Sequence, residues 1–480
     1  MSFVQPEFVV FVSIVLAIYW LLPRRAQNLL LIGASAVFYG WVHPWFVGLL
    51  LYSATLDYSC GRAMARWPGH RLALLRLSIA GNALLLGTFK YLDFLIENVA
   101  AALTTLGLGA DLHVLGIVLP VGISFYTFQT LSYTIDVYRG HLQPRRSFLD
   151  YLVFVSFFPQ LVAGPIERAR DLLPQVERDR SFSWRAVRSG LSLALFGAFK
   201  KVVIADTLAP WVDDLFAVPD PSWAMAWAGC LGFMVQLLAD FTAYTDIARG
   251  IARMLGFELT RNFNHHYLSR SPFELWERWH ITLTTWLRDY VFFPAASWRL
   301  ARRWLRVPGI RESALTSLIR ATLITMMFSG LWHGAAWNFV LWGLFWFVVQ
   351  GGWLVLDRRA PRGVRPLLRS RWMWLPMVPI HMAANMLFRE TDPGRLGQHF
   401  FGNPLANTVD ELVVAGTMAA MAGAGAAALA GAMAFELWLL PRIRGTAWAW
   451  PIQTTTWAIL ALGILTSARS AQEDFVYFAF

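Results

Sequence analysis

Long apolar runs separated by short polar segments dominate the chain, and their lengths suit a bilayer crossing better than a soluble core. The runs begin with Phe8 to Leu22, Leu29 to Trp41 and a third that ends at Cys60. Leu77 to Val99, Val114 to Tyr138, Leu191 to Leu208 and Trp223 to Leu238 follow. The C-terminal half adds Ala314 to Phe328, Ala335 to Leu356, Trp372 to Phe388, Leu412 to Leu440 and Ala447 to Thr466. Backbone polar groups in hydrocarbon must be satisfied within each segment, so this pattern predicts an all-α polytopic membrane protein. It predicts about 12 apolar spans in a single integral-membrane domain covering residues 1–480.

Two stretches interrupt the alternation. Tyr151 to Gly164 is shorter than a spanning helix and precedes the charged segment Glu167 to Arg180, which predicts a re-entrant element. Arg249 to Arg311 mixes arginines with aromatics and reads as interfacial, partly buried helices on the cytoplasmic side.

Charge then orients the runs. Arginines gather at Arg62, Arg66, Arg71 and Arg76, at Arg139, Arg145 and Arg146, and in Arg358 to Arg371, whereas Asp111 and the group Asp213, Asp214 and Asp220 mark weakly basic or acidic loops. The positive-inside rule puts the basic loops in the cytoplasm and the N-terminus outside. Met1 to Glu7 lacks the basic region of a cleavable signal peptide, so the first run is expected to stay attached.

Composition supports the membrane reading: 57% of the 480 residues are hydrophobic, 15% are charged and 24 are tryptophan. The net charge of +11 sits in loops between apolar runs, not on a basic stripe with interleaved aromatics, which argues against nucleic-acid binding. Cys60 and Cys230, each inside an apolar run, point neither to a disulfide framework nor to a cysteine metal site. Phosphate-loop, dinucleotide, nucleophile-elbow and zinc-protease patterns are all missing from the sequence.

Candidate chemistry centres on Gly330 to Gly343, GLWHGAAWNFVLWG, where His333 is embedded among tryptophans and small residues. An ionisable group at membrane depth usually lines a cavity, finds a partner or reacts. Gly330, Gly334, Ala335 and Ala336 suit either a reactant reaching the imidazole or close helix packing. The basic loop after the following run places His333 toward the outer half of the membrane. In Ser269 to Pro294, His280 lies beside Glu277, Arg278 and Arg288, a grouping that suits either an anionic ligand or a solvated interfacial face. Asp240 and Asp246 in DFTAYTDI stand about 120° apart on a helix, so pairing with an arginine such as Arg249 or Arg253 is expected rather than joint acid/base work. His265 and His266 lack a third ligand at metal spacing.

Five ordered blocks carry a resemblance: LPVGISFYTFQTLSYTIDVYRG from Leu119, FPQLVAGPIERARDLLPQ from Phe158, DFTAYTDIARG from Asp240, RNFNHHYLSRSPFELWERWHITLTTWLRDY from Arg261, and GLWHGAAWNFVLWG from Gly330. Together they resemble the membrane-bound O-acyltransferase family, in the branch that holds alginate O-acetyltransferases and teichoic acid D-alanyltransferases. NMLFRETD from Asn385 and the tail DFVYFAF fit its C-terminal features. Ala243 replaces a glycine before tyrosine, His266 a proline after the Asn-Phe-Asn triplet, and Ala295, Ala296 and Ser297 a glycine pair.

The resemblance implies that acetyl passes from a cytoplasmic thioester, acetyl-CoA or an acylated phosphopantetheine carrier, across the inner membrane to O-acetylate an alginate-like exopolysaccharide. It also implies a periplasmic polysaccharide acetyltransferase-type partner and no bound cofactor. His333 and His280 fall on its catalytic and second histidines. Trp332, Trp337 and Asn338 are then candidates to contact substrate or support His333, and Arg278 to shape the donor entrance. With His280 at the cytoplasmic side and His333 near the outer leaflet, the two histidines are expected at opposite mouths of a narrow passage. Other readings of the same polar residues are a polysaccharide-precursor or lipid flippase, a non-catalytic scaffold, or O-acylation of another cell-wall polymer.

Overall fold

The computed structural model describes residues 1–108, 112–297, 313–361, 365–368, 370–443 and 446–467. Asp111, Arg311 and the aromatic tail at 474–480 lie outside them. Among the described residues the secondary structure is entirely helical. Five helices are long and apolar enough to cross a membrane: Pro68–Thr105, Trp223–Met254, Ala314–His333, Trp337–Arg359 and Val409–Ala434. Most of the other apolar runs form shorter helices, such as Pro6–Tyr19, Arg24–Tyr39, Trp184–Phe199 and Trp374–Arg389.

Local chemistry sets many of the boundaries. Ser313 caps the Ala314–His333 helix by accepting from the Thr316 amide, and Thr316 returns the bond to the Ser313 amide. Thr408 and Glu411 form the same reciprocal box at the start of Val409–Ala434. The Val114 to Tyr138 run begins its helix only at Ile123, because Gly122 takes a left-handed φ of 78°. A Cβ on Gly122 would also lie 2.6 Å from the Leu161 carbonyl oxygen, so glycine alone fits there.

Residues 151–169 are buried without interruption, and the helix Phe148–Ser156 has only nine residues. That is far short of the roughly 20 needed to span, and the segment is folded into the interior instead. Gln129 and Gln160 both donate to the Phe154 carbonyl, at 2.5 and 2.8 Å, which satisfies backbone where the short helix cannot.

Two apolar cores divide the protein. One holds Phe125, Phe128, Phe241, Phe263 and Trp332, and the other holds Trp276, Phe339, Trp342, Trp346 and Phe388. Trp279 packs against both. His333, next to Trp332 of the first core and touching Trp342 and Phe388 of the second, stands at the seam.

Asp240 and Asp246 serve the framework, but lysines are their main partners. Lys201 binds Asp240 at 3.1 Å and Asp206 at 2.8 Å, while Lys200 binds Asp246 at 2.5 Å. Arg249 adds a weaker contact to Asp246 at 3.5 Å, and Arg253 pairs with Glu258. Cys60 and Cys230 are buried and reduced.

Candidate active site

His333 is the last residue of the Ala314–His333 helix, and an extended turn through Gly334 and Ala336 leads into Trp337–Arg359. The carbonyls at a helix end lack intrahelical partners. Here they are met from the middle of the 38-residue helix Pro68–Thr105, which loosens into a π turn over Gly87–Tyr91. Lys90 donates from Nζ to the Trp332 carbonyl and, at 3.2 Å, to that of His333. Tyr91 donates to the Leu331 carbonyl at 2.7 Å. Sequence reasoning missed both residues, although a lone lysine inside an apolar run was a visible signal.

The small residues around His333 serve packing. A Cβ on Gly330 would lie 2.3 Å from the Phe339 carbonyl oxygen, and one on Gly334 would lie 2.0 Å from the Phe339 ring. These glycines let the two helices approach closely. The opening lies on the other side of the imidazole. His333 lines a small, partly open cavity of about 40 Å³, whose walls include Trp276, Trp279, Trp342, Trp346 and Phe388. The polar lining adds His266, Tyr267, His381 and Asn385. His381 donates from Nδ1 to the Met377 carbonyl at 2.6 Å if it carries its proton there, the role a carbonyl acceptor requires. His381 and Asn385 stand one turn apart on Trp374–Arg389, an i,i+4 polar pair in an apolar run that could have been found by spacing alone.

His280 is fully buried, between Pro272–Arg278 and Ile281–Leu287. Its backbone is left-handed, φ 42°, a conformation that costs a non-glycine residue on the order of 1–3 kcal/mol. Phe125, Phe241 and Trp332 surround the ring with centroids at 6.2, 4.9 and 6.0 Å. Burial pushes its pKa down to about 3, so the imidazole is neutral.

The expectation of opposite mouths is therefore wrong. Trp332 lies 6.0 Å from His280 and 5.0 Å from His333 by ring centroids. The two imidazoles are thus no more than about 11 Å apart, against a hydrocarbon core of about 30 Å. The arginine-rich segment folds inward because its charges are met locally: Glu274 takes Arg278 at 2.7 Å and Arg270 at 3.2 Å.

Three other expected site residues are placed differently. Arg278 is spent on Glu274 and on the Asn264 carbonyl. Trp337 is 56% exposed and donates to Asn98 Oδ1 at 2.9 Å. Asn338 donates to the carbonyls of Leu387 and Phe388 at 3.3 and 3.2 Å, so it supports His333 only by holding Phe388 against the ring. Trp332 stays at the centre, as the shared wall of both histidines.

Residues 141–382, which include both histidines, match the membrane-bound O-acyltransferase family. The chain belongs to that family. It is 38% identical over 76% of its length to a probable alginate O-acetylase of Azotobacter vinelandii, 70% of which is covered. A peptidoglycan O-acetyltransferase of Helicobacter pylori is 32% identical, with 68% of this chain and 65% of that protein aligned. A teichoic acid D-alanyltransferase of Bacillus subtilis is 26% identical over 53% of this chain and 62% of its own length. This protein is thus an acyltransferase and an integral membrane protein of bacteria.

Proposed function

We propose that this acyltransferase moves an acetyl group from a cytoplasmic thioester to a hydroxyl group, for O-acetylation of an exopolysaccharide of the alginate kind. The observation that carries the reading is His333, 5% exposed, at the end of its helix and lining an aromatic cavity within the family-matched region. In the proposed reaction His333 takes the hydroxyl proton as oxygen attacks the thioester carbonyl. The carbon–sulfur bond then breaks, and the departing thiolate receives that proton, leaving an ester and a thiol. Holding the two reactants in register beside His333 supplies the orientation the step needs.

In this reading the chain lies in the inner membrane with its N-terminus periplasmic. The donor is acetyl-CoA or an acylated phosphopantetheine carrier, and a periplasmic polysaccharide acetyltransferase-type protein relays or receives the acetyl group. Donor and acceptor meet at one buried centre to which His280 and His333 both belong, joined by Trp332, with the donor's bulk left in the cytoplasm. The alginate O-acetylase among its relatives supports this choice of polymer.

The test uses purified protein in vesicles supplied with radiolabelled acetyl-CoA and an oligosaccharide of uronic acids. Wild type should form labelled ester, and His333→Ala, inserted at normal yield, should form none above background. Wild-type transfer by His333→Ala would remove the histidine from the reaction.

A further inference from the structure

We infer that Asn262 is a positioning residue that fixes the tautomer of His280, leaving Nε2 as the hydrogen-bond acceptor in the reaction. This rests on the proposal that His280 belongs to the acyl-transfer centre. Asn262 is itself fully buried, in the Asn-Phe-Asn triplet, and three groups converge on its side-chain oxygen. The Thr282 amide donates to Oδ1 at 3.1 Å, the Thr282 hydroxyl at 2.9 Å, and His280 Nδ1 lies 3.2 Å away.

The assignment of donors follows without ambiguity. A backbone N–H can only donate, so the Asn262 atom facing the Thr282 amide is the oxygen and not the nitrogen. The Thr282 hydroxyl oxygen accepts from the Ile166 amide at 3.0 Å and so directs its own proton to Asn262. An oxygen already serving as acceptor for both must meet a proton on His280 Nδ1 as well. With the ring neutral, Nε2 then carries the lone pair. That atom is buried and has no hydrogen-bond partner among the described residues.

The backbone reinforces this arrangement. The Asn262 carbonyl accepts from the Ile281 amide at 2.8 Å, and the Asn264 amide donates to the Arg278 carbonyl at 2.8 Å. Residues 262–264 and 278–281 are thereby clamped together on either side of the left-handed His280. A strained residue held by this many bonds is placed for use, since packing alone would relax it. The rings on His280, Phe125, Phe241, Phe263 and Trp332, carry no charge. The titratable groups facing it across Trp332 are His333 and Lys90, whose Nζ lies 5.8 Å from the Trp332 ring centroid.

The experiment compares Asn262→Leu, Asn262→Asp and His280→Ala in the vesicle assay, with kcat, KM, pH profile and melting temperature for each. Removing the orienting acceptor in Asn262→Leu should lower kcat by about 10- to 100-fold, with KM within about threefold. Asn262→Asp keeps an oxygen at the same place, so kcat should recover to within about tenfold of wild type. Its added negative charge should also shift the acid limb of the profile to higher pH by favouring protonated His280. Equal losses in both Asn262 variants with an unmoved pH profile would make Asn262 a structural brace and overturn the inference. So would wild-type kcat in Asn262→Leu while His280→Ala is inactive. Full activity in His280→Ala would instead overturn the role proposed for His280, which separates the two failures.

Discussion

Lys90 reaches from the π turn of one long helix to the His333 carbonyl at the end of another, 3.2 Å away, and in doing so caps the helix that presents the proposed base. Each hydrogen bond of this kind contributes about 0.5–1.5 kcal/mol, and a buried carbonyl left without its donor loses about 1–3 kcal/mol. Lys90→Met should therefore let the His333 turn shift, lowering kcat by about tenfold or more and lowering the melting temperature. Tyr91→Phe removes one bond, to the Leu331 carbonyl, against the two that Lys90 makes, and should cost less in both. Equal kinetics for Lys90→Met and wild type would show that the cap does not position His333.

Trp332 is the wall common to both histidines, so its removal should disturb the two sites together. Trp332→Ala opens a cavity at a cost of about 3–5 kcal/mol, and Trp332→Phe should retain the fold while loosening both imidazoles. Comparing kcat in the phenylalanine variant checks this, since a loss without a fall in yield reports on positioning rather than folding.

Arg278 gives the opposite expectation. Its side chain is 28% exposed and paired with Glu274 one turn away, an arrangement worth roughly 0.2–1 kcal/mol. Arg278→Ala should change the donor KM by less than about threefold, a value set by that small pairing energy. A rise of tenfold or more would restore Arg278 as a donor-binding residue.

Glu167 links folding to pH. It is buried beside Thr260, whose amide and hydroxyl donate to it at 2.6 and 3.0 Å, and burial raises its pKa to about 7 from an ordinary 4.5. The folded chain thus keeps a proton that the unfolded chain releases, so stability falls as pH rises from about 4.5 through 7. Melting temperatures of detergent-solubilised protein across pH 5 to 8 should show this decline, and Glu167→Gln should flatten it.

Much of this arrangement was legible in the chain. Run lengths announce the helices, and the isolation of His333 in an apolar run announces a site. Asp240 and Asp246 read correctly as framework because their spacing turns them apart. The depth of His280 was not legible. Arginines near it resemble a cytoplasmic flank, and only the pairing of Arg270 and Arg278 with Glu274 shows how that segment can fold inward. Lys90 stands out as a lone charge in an apolar run, but its partners, the carbonyls of Trp332 and His333, lie 242 and 243 positions away in sequence and were not legible. Gly330 and Gly334 read as either room for a reactant or close helix packing, and the Phe339 carbonyl and ring against them decide for packing.

If His280 and His333 act in one buried centre, as proposed, a double-mutant cycle in the acetyl-transfer assay reads their coupling. His280→Gln, His333→Gln and the double variant are compared at matched insertion, with residual rates measured above a vesicle background. Residues that act as a unit are strongly non-additive. The double variant should therefore lie within about threefold of the more damaged single one, because losses in such a unit do not multiply. Losses that multiply would mean two independent sites and would contradict the shared centre around Trp332.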